Sequence, residues 1–110
     1  MLAVSEIKAY RKAIKKYSKL ASFDIKKVEE VVKIIQRKET LDRKYKDHEL
    51  KGKLQGIREC HIKPDLLLLY QIDEENKILF LINIGSHSEL FKWKSRALEP
   101  PPFYIVPNRT

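Results

Sequence analysis

The chain has 110 residues, 43% of them hydrophobic and 35% charged, and a formal net charge of +8. This length indicates one domain, and the apolar content excludes a disordered chain. No apolar run in the sequence reaches the ~20 residues of a membrane span, and the first residues lack the pattern of a secretory signal. One cysteine excludes an internal disulfide. We therefore expect a cytoplasmic protein with no membrane partner.

The positive charge is unevenly distributed. Residues 1–40 carry 11 Lys and Arg against 5 Asp and Glu, residues 41–91 carry 8 against 9, and residues 92–110 carry 4 against 1. A basic surface of this kind attracts polyanions, of which RNA and DNA are the commonest. The alternative at this point is a lysine-rich surface that only keeps the protein soluble.

A short strand at residues 1–4 and two amphipathic helices are predicted in the first third of the chain. Ile7, Tyr10, Ile14 and Tyr17 recur at steps of three and four, which predicts a helix over residues 5–20. Asp24 is a suitable N-cap for a second helix over residues 25–37, and the two form a helix hairpin. Residues 38–56 are polar without clear periodicity and are predicted to be a loop.

Apolar runs then predict a sheet. Strands are expected over residues 57–62, 66–72 and 77–84, with a hairpin turn at 73–76. The last two strands are hydrophobic at both odd and even positions, which indicates central strands covered on both faces. The helix hairpin covers one face, and other parts of the chain or a partner cover the second. The expected fold class is α+β, with the helix hairpin packed on a mostly antiparallel sheet of three to four strands.

The end of the chain is predicted to lie outside this domain. A short helical turn capped by Ser86 or Ser88 is expected to end at Phe91. The domain is therefore assigned to residues 1–91, and residues 92–110 form a basic, proline-rich tail. The apolar segment 103–106 in this tail is expected either to dock as an edge strand or to be disordered.

The three histidines of the chain are His48, His61 and His87. Their spacings of 13 and 26 residues lack the close pair typical of a zinc site, so no metal and no cofactor is expected. Cys60 and His61 are adjacent, so on a strand they point to opposite faces. Cys60 is therefore expected in the core and Glu59 beside His61.

Strand ends and a loop can bring His48, Glu59, His61 and His87 into one cleft. Histidine titrates near neutrality, so two histidines can act as general base and general acid. Without a metal, such a pair suits transfer of an RNA phosphodiester to its own 2′-hydroxyl, with a cation to stabilise the charged phosphate. The alternative is that the three histidines are unrelated surface or capping residues. By strand alternation, Asn83 is expected on the face of Leu79.

Several motifs together resemble the YafQ branch of the RelE superfamily, which contains toxins of bacterial type II toxin–antitoxin systems. The resemblance covers roughly residues 1–91 and is most specific over residues 45–91. The motifs that carry it are Asp47-His48-x-Leu50-x-Gly52, Arg58-Glu59-Cys60-His61-Ile62-x-Pro64-Asp65, Leu67-Leu68-x-Tyr70, and Gly85-Ser86-His87-Ser88-Glu89-Leu90-Phe91.

The resemblance implies an mRNA interferase, an endoribonuclease that cuts mRNA on the ribosome without a metal. It also implies a cognate antitoxin that wraps the toxin, and contact with operator DNA only through the antitoxin complex. By position, it implies catalytic or RNA-binding roles for the matching residues. These are His48, Glu59, His61, Asp65, His87 and Phe91.

Two positions depart from the family pattern. The residue after Asp65 is an aromatic in YafQ itself, whereas here it is Leu66, and aliphatic residues occur there in relatives. The second departure matters more. The family usually has an arginine four residues before the last histidine, and here that residue is Asn83. An arginine would clamp the phosphate with a charge that asparagine lacks. Lys51, Lys53 and Arg58 are the candidates to supply the missing charge as RNA-binding residues. Two alternatives remain: a catalytically weakened toxin homologue that mainly binds antitoxin and RNA, and a basic RNA-binding module without activity.

Overall fold

The computed structural model describes residues 1–96, so the predicted apolar segment 103–106 lies outside the described part. Two 3₁₀ turns, Arg43–Tyr45 and Gly52–Leu54, lie on either side of the second strand. The helices and strands, in chain order, are β1 (Ala3–Glu6), α1 (Lys8–Tyr17), α2 (Ile25–Gln36), β2 (His48–Glu49), β3 (Arg58–Lys63), β4 (Leu66–Asp73), β5 (Ile78–Gly85) and α3 (His87–Arg96).

The five strands form one mixed sheet in the order β1-β5-β4-β3-β2. β1 pairs with β5 in parallel, and the other three pairings are antiparallel. The α+β class is confirmed, but the predicted count of three to four strands is wrong because β2 and β1 both join the sheet. The parallel pairing of β1 joins residues at opposite ends of the described chain.

The two predicted helices of the hairpin are present, but their bounds and detailed arrangement differ from the prediction. α1 begins later than residue 5 because the preceding residues belong to β1, and the Ile7 N–H continues that ladder by donating to the Leu81 carbonyl at 2.9 Å. α2 begins after Asp24, whose carboxylate accepts a hydrogen bond from the Lys27 amide at 3.2 Å. The predicted N-cap is therefore confirmed. No helix within residues 1–96 is both long enough and apolar enough to cross a membrane.

The prediction of a loop over residues 38–56 is wrong at β2. This strand has only two residues, so it offers no alternating pattern to detect. Asp47, just before it, is held by the Arg58 guanidinium at 3.0 Å and by the Tyr70 hydroxyl at 2.5 Å. Polar side-chain contacts therefore fix the segment that carries His48.

Both faces of the sheet are covered, as the apolar runs predict. On one face α1 and α2 pack through Tyr10, Val28, Val31 and Ile35. On the other face α3 and the turn Gly52–Leu54 pack through Leu90 and Leu54 on a row of sheet residues. That row consists of Ile57, which immediately precedes β3, and of Leu67, Leu69 and Ile82 in the strands.

The prediction that the last helical turn ends at Phe91 is wrong, because α3 continues to Arg96. Trp93 packs with Leu90 on the second sheet face, so the helix gains apolar contacts beyond the expected boundary. Ser86 and Glu89 begin the helix with reciprocal bonds: the Glu89 amide donates to Ser86 Oγ at 3.1 Å, and the Ser86 amide donates to Glu89 Oε1 at 2.9 Å. This is a capping box, so Ser86 is the cap.

Candidate active site

Three polar residues form a row across the face of the sheet that α3 covers. In the strand register His48 pairs with Glu59, Glu59 with Leu69, and Leu69 with Asn83. Directly opposite residues on paired strands point to the same side, and Leu69 belongs to the core beneath α3. His61 lies two residues further along β3 and shares this face. The strand register therefore places His48, Glu59 and His61 on one face of the sheet.

Asn83 lies on the opposite face from the one that strict alternation predicts. The register between β4 and β5 shifts, because Tyr70 pairs with Leu81 while Leu69 pairs with Asn83. The extra residue, Ile82, is a bulge that reverses the parity of everything after it. Asn83 thus joins the face of Glu59, with 8% of its surface exposed.

His61 and His87 meet at the end of β3 and the start of α3. Their ring centroids are 5.3 Å apart and the rings meet edge to face at 69°. Gly85 allows this approach: a Cβ at that position would lie 2.9 Å from Glu89 Oε1. The absence of a side chain at residue 85 therefore lets α3 turn back over the sheet and bring His87 to His61.

Asp65, in the turn between β3 and β4, fixes His87 through two contacts. Its Oδ1 accepts the His87 backbone N–H at 2.8 Å and lies 2.6 Å from the ring Nδ1. These hydrogen bonds, first from the backbone and then from the ring, hold the pKa of the Asp65 carboxyl below its ordinary value. A proton on Nδ1 leaves Nε2 as the second ring nitrogen for proton transfer.

The surroundings of His61 favour its neutral form. Desolvation lowers the pKa of His61 below its ordinary value of 6.5, and the neighbouring positive charge of His87 lowers it further. A neutral imidazole has a free lone pair and can accept a proton. His61 is thus suited to the role of general base.

His48 has an oxygen acceptor at each ring nitrogen. Its Nδ1 lies 2.7 Å from the Lys46 carbonyl oxygen, and its Nε2 lies 3.4 Å from Glu59 Oε1. Both ring nitrogens of His48 therefore already have oxygen partners within the protein.

Glu59 is buried between the His48 ring and the Lys94 ammonium group. Its side chain is 10% exposed, and its second oxygen, Oε2, accepts a hydrogen bond from Lys94 Nζ at 2.9 Å. Lys94 was assigned to the tail, so reasoning from the sequence missed it. The sequence feature that could have indicated Lys94 is its spacing. Lys94 follows His87 by seven residues and Phe91 by three, which places all three on one side of a helix.

A cleft of about 480 Å³ opens beside this ion pair. Phe91 stands at its edge with 70% of its surface exposed. An exposed aromatic ring at the mouth of a cleft can stack on a nucleic acid base. The cleft is lined by Glu59, Leu67, His87, Ser88, Leu90, Phe91 and Lys94.

A second cleft of about 500 Å³ lies on the other side of His61 and His87, and four lysines line it. We call it the lysine groove, after Lys27, Lys44, Lys46 and Lys63. The buried ring of Tyr45 organises two of them: Lys27 Nζ lies 3.2 Å from the Tyr45 hydroxyl, and the ammonium groups of Lys27 and Lys44 lie 5.4 and 5.3 Å from the ring centroid. The sequence predicted a basic surface but not this location.

The residues predicted to compensate for Asn83 lie elsewhere. Arg58 pairs with Tyr70, on the face opposite Glu59, and its guanidinium binds Asp47. Lys51 borders a separate pocket with Glu49, Gly52 and Gln55, and Lys53 follows in the adjacent turn. The prediction that these three bind RNA remains a prediction, and neither histidine-lined cleft includes any of them.

Cys60 is fully buried, as expected, and desolvation raises the pKa of its thiol to about 12. It packs with the core under the helix hairpin. Within residues 1–96, no three His, Cys, Asp or Glu side chains come together as metal ligands.

The family model for bacterial toxins of type II toxin–antitoxin systems, YafQ, matches residues 2–92. The chain belongs to the YafQ toxin family. The histidine pair, Asp65 and Phe91 all lie within the matched residues, whereas Lys94 lies beyond them.

Two curated relatives match part of the chain. The mRNA interferase toxin YafQ of Escherichia coli K12 is 40% identical over 47 residues, which are 43% of this chain and 49% of that protein. A putative toxin YafQ of Haemophilus influenzae is 43% identical over 54 residues, 46% of this chain and 53% of that protein. The chain spans about half the length of the curated relatives it matches.

Solved structures share the fold over a longer stretch. A metal-bound toxin from Helicobacter pylori is 48% identical with a TM-score of 0.77, covering 83% of this chain and 100% of that one. The YafQ toxin in the E. coli DinJ–YafQ toxin–antitoxin complex is 28% identical with a TM-score of 0.72, covering 82% of this chain and 97% of that one.

Proposed function

We propose that the protein is a toxin that cuts mRNA by metal-independent acid–base catalysis in the cytoplasm. The observation that carries this proposal is the contact between His61 and His87, with centroids 5.3 Å apart and Asp65 bonded to His87. The names of the relatives, mRNA interferase toxins, support the same reaction class.

The reaction is an internal phosphoryl transfer. His61, held neutral by its surroundings, takes the proton of the RNA 2′-hydroxyl, and the 2′-oxygen attacks the adjacent phosphorus. The bond from phosphorus to the 5′-oxygen breaks, and His87 gives its Nε2 proton to that oxygen. The products are a 2′,3′-cyclic phosphate and a free 5′-hydroxyl, so atoms and protons balance. His48 is the other candidate for the base, but both of its ring nitrogens already have oxygen partners, the Lys46 carbonyl and Glu59.

The two clefts supply a path for the RNA. A base next to the cut stacks on Phe91, and the backbone continues past the histidine pair into the lysine groove, where the ammonium groups bind its phosphates. The histidine pair lines the lysine groove through both rings and the Phe91 cleft through His87. This continuity supports a single strand as substrate, which is the form of mRNA that is read on the ribosome.

The purified chain should therefore cleave mRNA in EDTA, with and without ribosomes. His87→Gln should remove the activity, because it removes the acid but keeps a polar side chain of similar size. Adding back Zn²⁺ or Ni²⁺ should not raise the rate. Loss of all cleavage in EDTA, with recovery on adding metal, would refute the metal-independent mechanism.

A cognate antitoxin is the second partner in this proposal. The E. coli relative is solved in a DinJ–YafQ toxin–antitoxin complex, and this chain shares its fold. We propose that the antitoxin of this chain is encoded beside it, wraps the toxin, and alone brings the complex to operator DNA. Co-expression with the neighbouring reading frame should relieve growth arrest, and the two proteins should copurify.

A second candidate function is a weakened toxin that mainly binds antitoxin and RNA. It is favoured by Asn83, an uncharged residue where the family pattern has an arginine. This candidate predicts that Asn83→Arg sharply raises the cleavage rate of the otherwise unchanged protein. An unchanged rate would count against it.

A further inference from the structure

We propose that Lys94 supplies the positive charge on the scissile phosphate that Asn83 cannot supply. This inference rests on the proposed ribonuclease function and adds a catalytic residue to it. Lys94 lies beyond residue 92, where the family match ends, so the family pattern does not provide it.

Asn83 itself is poorly suited to hold a phosphate. Its side chain is uncharged, and its Oδ1 accepts a hydrogen bond from the Ile84 amide at 2.8 Å. With 8% of its surface exposed, it leaves little room for an RNA oxygen to approach. A cation near this row of the sheet must therefore come from another element.

The Lys94 side chain extends from α3 to Glu59, which lies in the same row across the sheet as Asn83. Its Nζ lies 2.9 Å from Glu59 Oε2, and Glu59 is separated from Asn83 only by Leu69 in the strand register. Strands are ~4.8 Å apart, so the two positions are ~10 Å apart along the row. An arginine at residue 83 would place its positive charge in this region from β5. Lys94 places its positive charge there from α3, on the opposite side.

Lys94 lines the cleft in which we place the RNA. Lys94, His87 and Phe91 all line the cleft of about 480 Å³, along one side of α3. The Lys94 side chain is 27% exposed, so its ammonium is partly desolvated, and a phosphate bound to it is held more strongly than at the open surface. Glu59 keeps His48 as its other partner when Lys94 turns towards the phosphate.

Three variants test this role. Lys94→Gln should slow cleavage about 10²- to 10³-fold, the usual effect of removing one group that stabilises the transition-state charge. Lys94→Arg should stay within about ten-fold of the wild-type rate because it keeps the charge. Lys92→Gln is the matched control: it makes the same change at an exposed position of the same helix and should leave the rate unchanged.

Two double variants separate charge supply from a structural role. Asn83→Arg should restore most of the rate lost in Lys94→Gln, because it returns a cation from β5. In the Glu59→Gln variant, adding Lys94→Gln should still slow cleavage. If the cleavage rate does not change further, Lys94 acts only by positioning Glu59, and the proposal is wrong. Circular dichroism of each variant checks that the fold is intact.

A measurement of RNA affinity tests the role of Lys94 without requiring cleavage. With an RNA methylated at every 2′-hydroxyl, the slope of log affinity against log salt should fall by about 0.7 in Lys94→Gln and not in Lys92→Gln. If the wild-type protein cleaves no RNA, the proposed function fails, and this slope alone decides whether Lys94 binds phosphate. Equal slopes for the two variants overturn the proposal.

Discussion

The carboxylate of Asp65 accepts the backbone N–H of His87 at 2.8 Å and lies 2.6 Å from its ring Nδ1. One side chain thus fixes both the position and the tautomer of the proposed general acid. Asp65→Asn should keep the fold but lower cleavage by about 10- to 100-fold, because the ring can then rotate or take the other tautomer. Single-turnover rates and a thermal melt check this, with Asp24→Asn, an acid at a helix N-cap far from the histidines in sequence, as the control. A rate equal to wild type would contradict the role given to Asp65.

The protonation of His61 should depend on His87. The pKa of His61 is lowered by desolvation and then by the positive charge of His87. In His87→Gln the second cause is absent, so the pKa of His61 should rise towards 6.5 without reaching it. An NMR titration of the His61 ring proton measures this directly. In the wild-type protein, cleavage should fall on the acid side only as His61 becomes protonated, below pH 6.5. An unchanged His61 titration in the variant would contradict the coupling.

Phe91 should be important for RNA and unimportant for folding. Its ring is 70% exposed, so Phe91→Ala removes little buried surface, and the free energy of unfolding should change by less than about 0.5 kcal/mol. Loss of base stacking should weaken RNA binding by about 1–3 kcal/mol. Phe91→Trp, which keeps a stacking surface, should bind RNA like the wild type. A variant that melts early but binds normally would contradict this division of roles.

The lysine groove should contribute to affinity through charge alone. Lys44→Gln with Lys63→Gln should lower the slope of log affinity against log salt by about 1.4, two phosphate contacts at about 0.7 each. Lys12→Gln with Lys15→Gln changes the net charge equally, but on exposed positions of α1. It should leave the slope nearly unchanged. Equal effects from both pairs would mean that the net charge of the protein, not the groove, determines binding.

Glu89 should make folding sensitive to acid. Lys16, the Ser86 amide and the Tyr17 hydroxyl bind its carboxylate and lower its pKa from 4.5 to about 2. The folded state therefore prefers the ionised form. The resulting stability is complete above pH 4.5 and is lost as the pH falls towards about 2.

Replacing Glu89 by Gln should remove this part of the acid sensitivity. The side chain is 40% exposed, so solvent screening limits the contribution at neutral pH to about 1 kcal/mol. Urea unfolding at several pH values measures the slope, with Glu75→Gln in the exposed turn between β4 and β5 as the control. Identical pH dependence in wild type and Glu89→Gln would disprove the contribution.

The parts of the fold that local pattern determines were predictable. Asp24 caps α2 because its carboxylate binds the Lys27 amide within the same turn. Cys60 is buried because alternation along β3 is regular there. The apolar run of β4 predicts a covered strand whatever covers it. Each of these depends on residues close together in sequence.

The remaining features depend on contacts between distant residues. The bulge at Ile82 exists only in the pairing of β5 with β4, so the face of Asn83 could not be read from β5 alone. β2 is held by Asp47, which binds Tyr70 on another strand. Lys94 becomes part of the site because Trp93 packs on the sheet and extends α3. No local pattern contains these relationships.

The parallel pairing of β1 with β5 has a consequence during biosynthesis. Ala3 and Glu6 find their partners only at Ile78 and Leu81, so the sheet cannot be completed until nearly all of the described chain has been made. Pairings between such distant residues form late and slowly. His87 lies two residues after the end of β5, so a growing polypeptide lacks both the finished sheet and half of the histidine pair. The proposed activity can therefore emerge only when translation of the domain is almost finished, and an interrupted product has none.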